Sequence, residues 1–229
     1  MKRNTLIIML LCSITNIYSQ QISIRKAVKV DYKQVSFNFS YAEDINIHFG
    51  EYDSLEIQAI VQTNNRQYID KYNLNIIDSN SNGIFIESKY DESMIKKAKI
   101  NSDDSSCNVQ NKDVLCIKEL YDIYIPKQIA ISVNTLSGNI NITNVNSEVS
   151  LKTLAGDIDI GIKKEQNFDI ECVSLIGQLY SDINHLTLVQ NNNESSSVES
   201  QKHYKGKIGS GGKDLKLETL TGNIYLREN

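Results

Sequence analysis

Four segments of the chain repeat around a glycine: Thr135-Leu-Ser-Gly138-Asn-Ile-Asn-Ile142, Thr153-Leu-Ala-Gly156-Asp-Ile-Asp-Ile160, Ser174-Leu-Ile-Gly177-Gln-Leu-Tyr-Ser181 and Thr219-Leu-Thr-Gly222-Asn-Ile-Tyr-Leu226. The glycines stand 18, 21 and 45 residues apart. The last interval has room for a further, degenerate rung, and Gly206 is its candidate because Ile208 follows at the expected offset. Self-similarity at such a period is the mark of a solenoid, in which no single repeat can bury its own apolar face.

Alternation around the glycines sets the local structure. Two residues after each glycine stand Ile140, Ile158, Leu179 and Ile224, and four after it Ile142, Ile160, Ser181 and Leu226. Two before it stand Leu136, Leu154, Leu175 and Leu220. Only Ser181 is not aliphatic, which argues for short strands with one face on a core. Asn139, Asn141, Asp157, Asp159, Gln178, Tyr180, Asn223 and Tyr225 then face outward. The expectation is an all-β, right-handed parallel β-helix-like solenoid with 18–21-residue coils, clearest over 135–226. Each coil would hold about three short strands. Gly138, Gly156, Gly177 and Gly222 would turn its corners at positive φ.

The first twenty residues read as a secretory signal peptide: Lys2 and Arg3, then the apolar Leu6–Leu11, then a cleavage position near Ser19 or Gln20. Cys12 has Leu11 before it, where a lipoprotein needs a small residue, so plain export is the better reading. Residues 21–229 are read as one solenoid domain. Losing Lys2 and Arg3 takes the formal net charge from −4 to about −6, which argues against nucleic acid and anionic membranes as partners. No segment after the leader is long and apolar enough for a membrane helix.

Cys107, Cys116 and Cys172 follow the leader. Cys107 and Cys116 flank an Asn-containing turn and are expected to form a disulfide, worth roughly 2.5–3 kcal/mol on the chain-entropy model. Cys172 alternates with Ile170 and reads as a buried thiol. N-terminal to the clear repeats, Val35–Ile86 reads as short strands that are less regular. Residues 87–113 and Gln190–Gln201 read as excursions, the first with at most one helical turn around Met94–Ala98. Asn80–Gly83 is a turn, and Pro126, the single proline, marks a bend before the repeats.

Leu120-Tyr-Asp-Ile-Tyr-Ile-Pro126, the Ser/Ala-Gly-Asn/Asp-Ile rungs and the ending Gly206–Ile224 carry a resemblance. The chain resembles the bacterial "putative-adhesin" family of exported β-strand-repeat proteins of unknown function, related to the head GIN autotransporter-adhesin-like domains. The resemblance spans about residues 35–229 and is strongest from 115 onward. It implies a parallel β-helix-like fold, a location in the periplasm or at the cell surface of a bacterium, and no established catalytic residues. Ile176 and Ser181 depart from the family pattern.

Chemistry is sparse. Asp157 and Asp159 share one strand face about 7 Å apart, a separation compatible with a glycosidase pair. They fall in phase with Asn139 and Asn141, so exposed structural rows explain them better than catalysis or a calcium site. Gly206–Lys213 misses phosphate-loop spacing and leads into a strand. His48, His185 and His203 have no metal-ligand spacing. Tyr180 and Tyr225 occupy equivalent outward positions and are candidate binding aromatics beside Asp157 and Asp159. No cofactor, metal or enzymatic activity is expected. The reading is a non-catalytic envelope module for a protein or glycan partner. The alternatives are a carbohydrate-active enzyme using Asp157 and Asp159, or an accessory protein in envelope-stress signalling.

Overall fold

In the computed structural model the described residues are 20–29, 32–64, 66–78, 83–89, 99–100, 114–190 and 202–229. The leader with Cys12, the turn residues 80–82, the segment 94–98, Cys107 and most of the Gln190–Gln201 excursion lie outside them. The strands are β1 (Gln20–Val28), β2 (Gln34–Asn38), β3 (Ala42–Gly50), β4 (Leu55–Thr63), β5 (Asn73–Asp78), β6 (Ile84–Lys89), β7 (Lys99–Ile100), β8 (Val114–Leu115), β9 (Ile117–Pro126) and β10 (Ala130–Ser137). They continue with β11 (Asn139–Thr143), β12 (Val149–Ala155), β13 (Ile158–Ile162), β14 (Phe168–Ser174), β15 (Leu179–Ser181), β16 (Leu186–Gln190), β17 (Lys202–Ile208), β18 (Lys213–Thr219) and β19 (Ile224–Glu228). A single turn of helix, α1 (Arg66–Ile69), joins β4 to β5.

Two sheets face each other across one hydrophobic core. Sheet A runs β1-β4-β9-β3-β11-β13-β19-β15, and sheet B runs β16-β17-β14-β18-β12-β10-β2-β6-β5. The short pair β7-β8 stands apart from both. Each coil contributes one strand to each sheet, so a coil holds two strands rather than the three anticipated. The coil pairs β2/β3, β10/β11, β12/β13, β18/β19 and β14/β15 stack in parallel. β6 and β9 add a further parallel layer on β2 and β3. Antiparallel strands extend both sheets at one end, β1 and β4 in sheet A and β5 in sheet B; at the other, β17 and β16 extend sheet B while sheet A ends on the parallel strand β15. In the less regular N-terminal half, β2/β3 is a coil of the parallel stack and β1, β4 and β5 are the antiparallel additions.

The inward rows follow from period-two alternation. In sheet A, Ile45, Ile140, Ile158, Ile224 and Leu179 form one row, and Ile47, Ile142, Ile160 and Leu226 another. In sheet B, Phe37, Val133, Leu151, Leu217 and Cys172 align, as do Val35, Ile131, Val149, Leu215 and Ile170. Burying each large side chain contributes about 1.5–3 kcal/mol before chain entropy is counted.

Stacking does not follow sequence order. β18/β19 lies between β12/β13 and β14/β15, although β14/β15 precedes it in the chain. The 18-residue offset holds between β10/β11 and β12/β13. The expected 21-residue step joins no neighbours, because the last coil intervenes: the next contact spans 66 residues and the one after it 45.

The corners differ from expectation in two ways. Of the four repeat glycines only Gly138 has positive φ, at 105°. The others are required by close approach. A Cβ on Gly156 would collide with the Gly138 carbonyl oxygen, one on Gly222 with that of Gly156, and one on Gly177 with that of Gly222. The hydroxyl three residues before the glycine is buried and donates to the glycine carbonyl of the neighbouring coil: Thr153 to Gly138 at 3.3 Å, Thr219 to Gly156 at 3.0 Å and Ser174 to Gly222 at 3.2 Å.

The second difference concerns phase. Leu136, Leu154 and Leu220 are 53%, 49% and 36% exposed, so they face solvent rather than the core, and Leu175 is half-buried. The corner breaks the alternation: inward residues lie three before the glycine in one sheet and two after it in the other. Gly206 is not a rung either. It lies within antiparallel β17, where a Cβ would strike the Thr187 carbonyl of β16. Ser181 sits exposed on β15, the edge of sheet A, and its oxygen accepts the Ile183 N–H at 3.2 Å. An aliphatic side chain there would have no core to enter.

Candidate binding face

Sheet A turns six strands of parallel register outward, so side chains at equivalent positions form straight rows. One row reads Asp122, Asn46, Asn141, Asp159, Tyr225 and Tyr180. At about 4.8 Å per strand it runs about 24 Å. Amides link its polar half: Asn141 Nδ2 donates to Asn46 Oδ1 at 3.0 Å, and Asn46 Nδ2 to Asp122 Oδ1 at 3.2 Å.

The aromatic half is ordered by the same register. Tyr180 and Tyr225 are direct partners and stack with ring centroids 5.3 Å apart and planes 13° from parallel. The Arg227 guanidinium lies 5.1 Å from the Tyr225 centroid and donates from Nε to both carboxylate oxygens of Asp159 at 2.8 Å. Tyr180, on the edge strand, is 51% exposed. At the other end of the face His48 stacks on Tyr124 at 5.0 Å, and Tyr52 meets Tyr124 edge-on at 5.7 Å. The face thus carries aromatic groups at both ends of a polar row.

Asp157 and Asp159 do share this face, in different roles. Asp157 Oδ1 accepts the Asn223 N–H at 2.7 Å. Asn139 does the same for Asp157 N at 3.0 Å, and Asn223 for Gln178 N at 3.0 Å. The residues after Gly138, Gly156 and Gly222 therefore each tie their coil to the next in the stack. Asp159 holds Arg227. The structure brings together Asp159, Tyr180 and Tyr225, and it places Asp157 one row away among structural bonds.

The cysteines divide. Cys116 is disulfide-bonded; Cys107, its expected partner, lies outside the described residues. Cys172 is free and fully buried, and burial pushes its thiol up to about 12, so it is a core side chain and not a nucleophile. The described residues hold no group of three or more metal-ligating side chains. No helix among them is long and apolar enough to cross a membrane. A shallow cavity of about 410 Å³ on sheet B is lined by Asp169, Glu171, Asp214, Lys205, Lys207 and Lys216 among others. Lys205 with Glu171, Lys207 with Asp169 and Lys216 with Asp214 cancel its charge in pairs.

Sequence reasoning missed one buried cluster. Glu119 on β9 is fully buried and accepts a hydrogen bond from Tyr121 Oη. Tyr121 is bonded in turn to Tyr72 Oη at 2.9 Å and stacks on Phe39 at 3.9 Å. Burial pushes the Glu119 carboxyl up to about 7, against the opposing pull of the Tyr121 and Ser88 hydroxyls. The Ser88 hydroxyl makes no well-formed hydrogen bond, so Tyr121 is the stronger of the two. The phase was legible: Glu119 falls between Ile117 and Tyr121 on the inward side of an alternating strand.

Comparisons with known proteins agree with this architecture. A solved "putative cell adhesion protein" from Clostridium sporogenes superposes with a TM-score of 0.52 at 12% identity, over 92% of this chain and all of that one. At that identity the likeness shows the fold alone. A solved "putative adhesin" from Bacteroides fragilis aligns over 93% of this chain and all of its own at 9% identity, but its TM-score of 0.29 carries no argument. No curated protein matches the chain. The family model described as Toastrack DUF4097 matches residues 86–227, more than half of the sequence. With its two facing sheets of stacked coils, the chain belongs to the Toastrack DUF4097 family.

Proposed function

We propose that this is a non-catalytic, adhesin-like module of the bacterial envelope, exported by its N-terminal leader, that binds a glycan along the outer face of sheet A. The carrying observation is the row Asn141, Asp159, Tyr225 and Tyr180 with Arg227 above it. Exposed aromatic faces take the apolar side of a sugar ring, and fixed amides and carboxylates take its hydroxyls. Aromatic groups toward both ends of a row about 24 Å long suit an extended chain better than a single sugar. The name of the Clostridium structure, a putative cell adhesion protein, supports the same reading. Right-handed winding of the coils and the Cys107–Cys116 disulfide belong to this proposal.

A catalytic reading is disfavoured by the same geometry. Asp157 is bonded to a backbone N–H and Asp159 to a guanidinium, so neither is poised as a proton donor. Titration with envelope polysaccharides tests the proposal. The chain has 12 tyrosines and no tryptophan, so tyrosine emission reports directly. Wild type should show saturable quenching that Tyr180→Ala with Tyr225→Ala abolishes while the far-ultraviolet spectrum is unchanged. Equal binding by the double variant excludes this face. Polysaccharide turnover lost in Asp157→Asn or Asp159→Asn restores the enzyme reading.

A further inference from the structure

The β18/β19 coil is inserted between two coils that both precede it in the chain. β18 pairs with β12 on one side and β14 on the other, and β19 with β13 and β15. Among the described residues it makes no ladder with β17, the strand immediately before it, which pairs there with β14 and β16. All its strand pairing is therefore long-range. Its inward residues Leu215, Leu217, Ile224 and Leu226 are at most 1% exposed, so the coil fills the middle of the core and not its edge.

The link to this coil is a glycine-rich turn. Gly209, Gly211 and Gly212 have φ of 59°, 78° and 145°, in a stretch that is largely exposed. The link is held by two side chains and two backbone bonds: Asn167 Oδ1 accepts the Ser210 N–H and Asp169 Oδ2 the Gly212 N–H, both at 2.9 Å, and the Gly209 and Gly211 N–H groups donate to the His185 and Ile208 carbonyls at 3.3 and 3.2 Å. Three glycines allow the chain to leave β17 in other directions at little steric cost.

Until the coil arrives, β12/β13 and β14/β15 expose four unpaired strand edges to a slot that selects for one pattern. Its corner admits only glycine at position 222, because the Gly156 carbonyl leaves no room for a Cβ there. The residue after that glycine is held by Asp157 from one side and holds Gln178 on the other. A second copy of this chain carries the matching segment. We infer that residues 213–229 are an exchangeable arm, and that two copies can insert their arms reciprocally to form a strand-exchanged dimer. Every native contact outside the link is then kept, and only residues 209–212 change path. The arm's own slot competes through an effective concentration on the order of mM. Exchange therefore rises with chain concentration during refolding.

Lys152 on β12 and Glu218 on β18 are exposed register partners bridged at 2.7 Å. They place the test outside the core. Lys152→Cys and Glu218→Cys are made in separate chains, which are mixed, unfolded, refolded together over a range of concentrations and then oxidised. A disulfide-linked dimer joining one of each chain is expected, and hundredfold dilution before refolding should lower its yield by about a hundredfold. Folded chains mixed without unfolding should give none in the same time. One chain carrying both substitutions shows that the geometry permits the bond; Ser150→Cys with Lys216→Cys, also register partners, serves if it does not. An internal link in that chain without any mixed dimer overturns the inference. So does immediate linking of folded chains, which would mark a surface encounter.

Discussion

The α-carbon of Gly222 lies against the carbonyl oxygen of Gly156 so closely that no Cβ fits between them. Gly156 stands in the same relation to Gly138, and Gly177 to Gly222. These backbone contacts, more than any turn conformation, fix which residue the repeat can hold.

Gly222→Ala should therefore destabilise strongly, because the obstruction is backbone in the middle of the stack. Overpacking of this kind costs about 1–3 kcal/mol and more where the surroundings cannot yield. Asp157→Asn should change stability little, since the amide oxygen can still accept the Asn223 N–H. Chemical denaturation midpoints compare the two. Equal shifts would remove the close-approach account.

The leucines two before each glycine give a sharper contrast. Leu154→Ser, on the exposed side, should change stability by no more than about 0.5 kcal/mol. Leu217→Ala, fully buried, should cost about 2–5 kcal/mol. If both cost the same, the exposure pattern at the corner is wrong.

Glu119 predicts a pH dependence. Its folded pKa, about 7, lies above the ordinary carboxyl value. Folding is thus favoured most when the carboxyl is protonated in both states, and that advantage declines as pH rises from about 4.5 through 7. The loss is on the order of 3 kcal/mol by pH 8. Glu119→Gln should flatten the curve and raise the melting temperature at pH 8. Melting profiles from pH 5 to 8 check this; a parallel curve in the variant would exonerate Glu119.

Cys172 should resist alkylation in the native protein, because its thiol is buried and its pKa is raised to about 12. Mass spectrometry after iodoacetamide treatment should find it modified only under unfolding conditions. Rapid native labelling would show that the β14 coil opens readily.

The strands, their inward aliphatics and the neighbouring tyrosines were legible in the sequence because alternation and repeat phase are local signals. Tyr180 and Tyr225 could be placed together from phase alone. The leucines at 136, 154, 175 and 220 were misassigned because counting in twos from the glycine carries the phase through a corner that resets it. Thr135, Thr153, Thr219 and Ser174 were visible in the repeat, but a hydroxyl declares its use only once the neighbouring carbonyl is located. The order of the coils was not readable at all. Any coil with this pattern can stack on any other, and similarity between repeats says nothing about which two touch.

That interleaving has a consequence for how the chain is made. Synthesis delivers β12/β13 and then β14/β15 well before the segment that separates them exists, since β18 meets β12 across 66 residues. A rung-by-rung assembly behind the ribosome cannot produce this stack. Its centre closes only after its flanks have been delivered, so the nascent stack stays incomplete until β18 and β19 arrive.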